Sequence, residues 1–66
     1  MALSGLQFRM HGRLISRIRR AGATSVAKAL TVEEIGLDLQ ERYWLNYFAG
    51  AFLETIKKTK DQRYYV

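Results

Sequence analysis

The sequence predicts a mainly helical domain closed by a small C-terminal β-hairpin, and three observations carry that prediction. Apolar residues recur at helical spacing from about Leu6 to Arg20. A Thr31–Glu34 capping pattern and a second apolar segment from about Leu39 to Leu53 follow it. Two β-favouring runs, Thr55 to Lys58 and Arg63 to Val66, then flank a polar turn. With 66 residues the chain is expected to form one domain spanning 1–66, because a second core would bury too little apolar surface to offset chain entropy.

In the first segment, steps of about 100° per residue place Met10, Ala21, Leu14, Ile18, His11, Ile15 and Phe8 on one arc. Arg9, Arg13, Arg17 and Arg20 occupy the opposite arc. This is an amphipathic helix with a basic outer stripe, and Gly22 is placed to cap its C-terminus in the left-handed conformation. Gly12 inside it costs roughly 1 kcal/mol relative to alanine. Val26 to Leu30 is compatible with a short strand. The Thr31 hydroxyl and Glu34 carboxylate then open a second helix near Val32, which Gly36 stops after little more than a turn, leaving Ile35 and Leu37 to face the core.

The third helix, about Leu39 to Leu53, has Trp44, Leu45, Phe48, Ala49, Phe52 and Leu53 on one side. Gln40, Tyr43, Asn46, Tyr47, Gly50 and Ala51 lie on the other. A helix apolar or aromatic nearly all round is buried on both sides or meets a partner on its second face. Helix, short strand, short helix, long helix and hairpin is the element order of a winged helix-turn-helix domain, with the hairpin as the wing.

The chain also resembles a known pattern. Gly22, Ala23, Thr24 and Ser25, then Thr31, Val32, Glu33, Glu34, Ile35 and Gly36, then Lys57, Lys58 and Thr59 with Arg63, Tyr64 and Tyr65, resemble the small winged-helix modules of archaeal and bacterial chains. The resemblance covers about residues 13 to 66. It implies a three-helix core with a C-terminal hairpin and a nucleic-acid-binding or interaction role. The chain departs from that pattern at Val26, where the modules tend to carry proline, and at Lys60 and Gln62, where they tend to carry glycine in the wing turn. Glu54 stands where they tend to have glycine between the third helix and the wing.

Charge narrows the function. Eleven Lys and Arg against six Asp and Glu leave a formal net charge of +5, which favours anionic partners. The leading expectation is DNA binding. Gln40, Tyr43, Asn46 and Tyr47 would face the groove from the third helix, and Lys57, Lys58, Lys60 and Arg63 would supply phosphate contacts from the wing. Against it, Glu33, Glu34, Asp38 and Glu41 cluster around the second and third helices with Arg42 alone to balance them, and carboxylates there repel phosphate. The alternative is a protein-interaction module, most simply a homodimer joined through Tyr43, Tyr47 and Gly50, since large aromatics and small residues suit a close interface. Packing of Tyr43 and Tyr47 inside the core is the third option.

Other classes find little support. With no cysteine, a disulfide and a thiolate zinc site are excluded, and one histidine does not make a metal site, so neither metal nor cofactor is expected. His11 falls in the apolar arc of the first helix, as a structural histidine does, and Glu33 and Glu34 diverge on a helix, so no catalytic pair is placed. The chain is not expected to be an enzyme. It contains no apolar run long enough to span a bilayer and no signal-like stretch at its start, and the lack of cysteine fits a cytoplasmic location. The basic first helix could lie on an anionic lipid surface, but the domain needs its apolar arc for the core.

Overall fold

The first helix, α1, runs from Gly5 to Arg20 and buries Met10, Leu14 and Ile18, an i, i+4, i+8 stripe. The structure, a computed structural model, describes residues 5–49 and 55–66. After Arg20 the chain closes a Schellman motif. Gly22 takes φ +87°, its N–H donates to Arg19 O at 3.0 Å, and Ala23 N–H donates to Ile18 O at 3.2 Å. Both Ala23 and Ile18 are buried, the apolar contact that accompanies this cap. Two residues of the expected apolar arc lie outside the core. Phe8 is 71 % exposed because it sits about 120° round the helix from Leu14, and Ala21 is exposed in the turn beyond the last helical residue.

Val26 to Leu30 is not a strand. Val26–Lys28 forms a 3-10 turn closed by Lys28 N–H donating to Ser25 O and Ala29 N–H donating to Val26 O, at 3.0 and 3.3 Å. The chain must bend here to carry α1 into the second helix, so β-propensity yields to the turn. Strand character survives at Leu30 alone, which exchanges both backbone hydrogen bonds with Tyr64 at 3.0 and 2.7 Å.

The second helix, α2 (Val32–Ile35), has the expected capping box. Glu34 N–H donates to Thr31 Oγ1 at 3.2 Å, and Thr31 N–H donates to Glu34 Oε1 at 3.0 Å. Gly36 ends it at φ +84°, and Leu37 N–H donates back to Val32 O at 3.1 Å, which drops Leu37 into the core. After Asp38, α3 runs from Leu39 to Ala49 and buries Glu41, Leu45 and Phe48. The expected continuation to Leu53 lies outside the described residues, as do Gly50 and Glu54.

Two strands, β1 (Lys57–Lys58) and β2 (Tyr64–Tyr65), pair antiparallel with Lys57 opposite Tyr65 and Lys58 opposite Tyr64. Thr59 N–H donates to Arg63 O at 2.8 Å, enclosing a loop of Lys60, Asp61 and Gln62 in which Gln62 takes φ +65°. A three-residue hairpin loop needs a left-handed residue at this point, and glycine is the usual choice. Here the Thr59 side chain supports the loop instead: its hydroxyl accepts from Arg63 N–H at 3.1 Å and donates to the Asp61 carboxylate. Tyr64 points into the core beside Ile18, Leu37 and Ile56, and Val66 N–H donates to Ala23 O at 3.0 Å, tying the hairpin to the end of α1. Among the described residues, three α-helices and a docked two-stranded wing make this a winged helix-turn-helix domain. No described helix is long and apolar enough to cross a membrane.

Candidate functional site

The head of α3 is built around one buried carboxylate. Asp38 caps the helix, its Oδ1 accepting from Glu41 N–H at 2.8 Å, while Glu41 Oε1 accepts from Asp38 N–H at 3.0 Å. This is a second capping box, and it turns Glu41 inward to 1 % exposure. There Arg13 Nε donates to Glu41 Oε2 at 2.9 Å, and Arg17 Nη1 lies 3.3 Å from the same oxygen. Arg17 also donates from Nη2 to Gly36 O at 2.8 Å, so one guanidinium joins the end of α2 to the head of α3. Two of the four arginines expected on an outer stripe are therefore bound to the core.

Two further carboxylates, Glu34 of α2 and Asp61 of the wing, are also engaged, whereas Glu33 is exposed with no ion pair among the described residues. Arg63 donates to Asp61 Oδ2 at 3.0 Å, to Glu34 Oε1 at 3.2 Å and to Ala29 O at 3.4 Å. The hydrogen bonds from Thr31, backbone then hydroxyl, hold the Glu34 carboxyl below its ordinary value, with the Arg63 charge adding to them. Asp61 is lowered first by the Thr59 hydroxyl and then by Arg63. Burial raises the Tyr64 phenol. Arg63, expected to meet phosphate, is thus an internal strut of the wing.

The outward face of α3 carries no acid that is free of the cap. Leu39 is 83 % exposed, Tyr43 61 % and Tyr47 39 %, and Gln40 and Asn46 are exposed with them. Tyr43 stands clear of the core, whereas Tyr47 is partly packed, lying edge-on to buried Phe48 with ring centroids 5.3 Å apart. Both tyrosines flank Trp44 edge-on, with ring centroids 5.4 and 5.7 Å away, and Trp44 stacks on buried Phe48 at 5.8 Å. The Tyr47 hydroxyl accepts from Gln7 Nε2 at 3.1 Å, which ties that tyrosine to α1.

The expected residues therefore form two groups. Tyr47 is tied to α1 through Gln7, with Gln40 and Tyr43 exposed on the same face of α3, whereas Asn46 shares a cleft of about 280 Å³ with Arg42, Gln62, Glu33 and Tyr64. Lys57, Lys58 and Lys60 are exposed on the wing, and Lys57 and Lys58 line a second cleft with Ala49, Ile56 and Tyr65. Arg42 was not among the expected contacts, although its place one residue after the capping Glu41 set it on this side of α3. Its Nε donates to Leu37 O at 3.0 Å. His11 lies edge-on to Phe48 at 5.0 Å, with its buried Nε2 lacking a partner among the described residues. No group of three or more acidic or histidine side chains among the described residues is placed to hold a metal ion.

Comparison of the chain with protein-family models, with curated proteins and with solved structures found no match.

Proposed function

We propose that this winged helix is a cytoplasmic nucleic-acid-binding module, with duplex DNA as its partner. In this reading α3 offers Gln40, Tyr43, Asn46 and Tyr47 to the groove while Lys57, Lys58 and Lys60 of the wing meet the backbone phosphates. The observation that carries it is the fate of the carboxylates at the head of α3. Glu41 is buried against Arg13 and Arg17, and Glu34 and Asp61 are paired with Arg63, so three of the acids around α2, α3 and the wing are offset within the fold, while Glu33 and Asp38 stay exposed without an ion pair among the described residues. The surplus positive charge is left on the outside, which is the distribution phosphate recognition requires. The resemblance to small winged-helix modules supports the same reading.

The test is a titration of labelled duplex DNA at about 50 and 200 mM salt. Binding should weaken steeply between the two, and each of Lys58→Ala and Lys60→Ala should reduce the salt slope by about one. Absence of binding at the lower salt, or binding indifferent to salt, overturns it.

Self-association is a second reading, favoured by the exposure of Leu39 and Tyr43 on a face that carries no charge. A homodimer through this face would dissociate on Tyr43→Glu, and sedimentation of both proteins over a range of concentrations decides it. Tyr43 is the better probe than Tyr47, because Tyr47 is bonded to Gln7.

A further inference from the structure

The cleft between α2, α3 and the wing has a chemistry that phosphate contact does not explain. Its volume of about 280 Å³ is just below the roughly 300–1,000 Å³ typical of small-molecule sites. Glu33 and Arg42 place one negative and one positive group on its walls, Asn46 and Gln62 add two amides, and Val32 and Tyr64 supply apolar surface. A bare phosphate would meet the Glu33 carboxylate. A neutral planar ring with donors and acceptors along its edge suits every one of these groups: carboxylates accept from exocyclic amines, and amides pair with adenine-type edges.

Gln62 points the same way. It is the only described non-glycine residue at positive φ, in a turn position where glycine is the unstrained choice. Gln62 lines the same cleft as Asn46. A glutamine kept in a costly conformation at the rim of a polar cleft is accounted for if its amide is used there.

We propose that this cleft receives one unpaired nucleobase from a nucleic-acid strand, read by the Asn46 and Gln62 amides with Glu33 and Arg42. The proposal rests on the nucleic-acid reading above and adds to it a base that leaves, or was never part of, the duplex. Glycine at position 62 would relieve the turn while removing the amide, so stability and recognition should move in opposite directions.

The experiment measures affinity for a labelled blunt duplex and for the same duplex with a single-stranded 3′ extension, using the wild type, Gln62→Gly and Asn46→Ala. The extension should strengthen wild-type binding about tenfold, the order that one engaged base supplies. Gln62→Gly should melt about 4 °C higher, keep its affinity for the blunt duplex and lose the gain from the extension. Asn46→Ala should lose that gain as well. If the extension helps all three proteins equally, or helps none while the blunt duplex still binds, the cleft takes no base and the nucleic-acid reading stands without it. If the wild type binds neither probe, both readings fall. Nucleoside monophosphates that shift the Asn46 and Gln62 side-chain amide resonances, with no gain from the extension, would assign the base chemistry to a free nucleotide and overturn the strand as its source.

Discussion

Glu41 shows how a single side chain can hold three elements together. Its carboxylate accepts from Asp38 N–H, Arg13 and Arg17, and Arg17 in turn donates to the last carbonyl of the α2 turn at Gly36. Removing a buried charged partner is costly when the remaining charges are stranded, but the Arg13 and Arg17 side chains are 57 % and 37 % exposed and can return to water. Glu41→Ala should therefore destabilise the fold by about 2–3 kcal/mol, at or below the low end for a buried pair. Arg17→Ala should cost about 1–2 kcal/mol, since it removes both a contact to buried Glu41 and the bond to Gly36 O. Arg13→Ala removes the more exposed of the two arginines and leaves Arg17 on the buried carboxylate, so it should cost less than Arg17→Ala. Urea denaturation ranks the three, and a larger loss for Arg13→Ala than for Arg17→Ala contradicts this account. Asp38 and Glu41 have the same spacing as Thr31 and Glu34, but from the sequence they read only as acids that repel phosphate. The burial of Glu41 was not legible there, because the arginines that permit it come from 28 and 24 residues earlier in the chain.

At the scale of elements, α2 illustrates a helix defined by its ends. Four residues do not sustain a helix alone, so the capping box, Gly36 and the Arg17 contact stabilise it. Glu34 in that cap and Asp61 in the wing loop both have carboxyls lowered from ordinary values of 4.5 and 3.8. A carboxyl whose pKa is lower in the fold than in the unfolded chain contributes stability above its unfolded value and loses it as pH falls through the folded value. Stability should thus hold from neutral pH to about pH 5 and decline below it. Thr31→Ala should cost about 1 kcal/mol at neutral pH and give a shallower acid decline, as read from denaturation midpoints across pH.

These ends were legible because caps are local: Gly22, Thr31, Glu34 and Gly36 each act within one turn of chain. Val26 to Leu30 was misread for the opposite reason. Its one strand-like residue, Leu30, is fixed by a partner at Tyr64, and local propensity does not encode that pairing. The wing lay between, with strands visible in the sequence and a turn whose left-handed glutamine was not.

For the whole molecule, the sorting of charge decides what the surface can recognise. Arginines that read as one outer stripe divide into Arg13 and Arg17, which neutralise a buried acid, and the exposed Arg9 and Arg20. The third helix shows the reverse. Its core side, with Leu45 and Phe48, and its outer side, with Gln40, Tyr43, Asn46 and Tyr47, follow helical periodicity as read from the sequence. Which partner meets the outer side is not a property of periodicity, and the exposed lysines of the wing are what favour an anionic one. The most direct test of that claim is a map of amide chemical shifts on adding short duplex DNA. The largest changes should fall on Tyr43, Asn46, Lys58 and Lys60. Changes concentrated on Arg9, Arg19 and Arg20 of α1, with α3 and the wing unmoved, would contradict that claim.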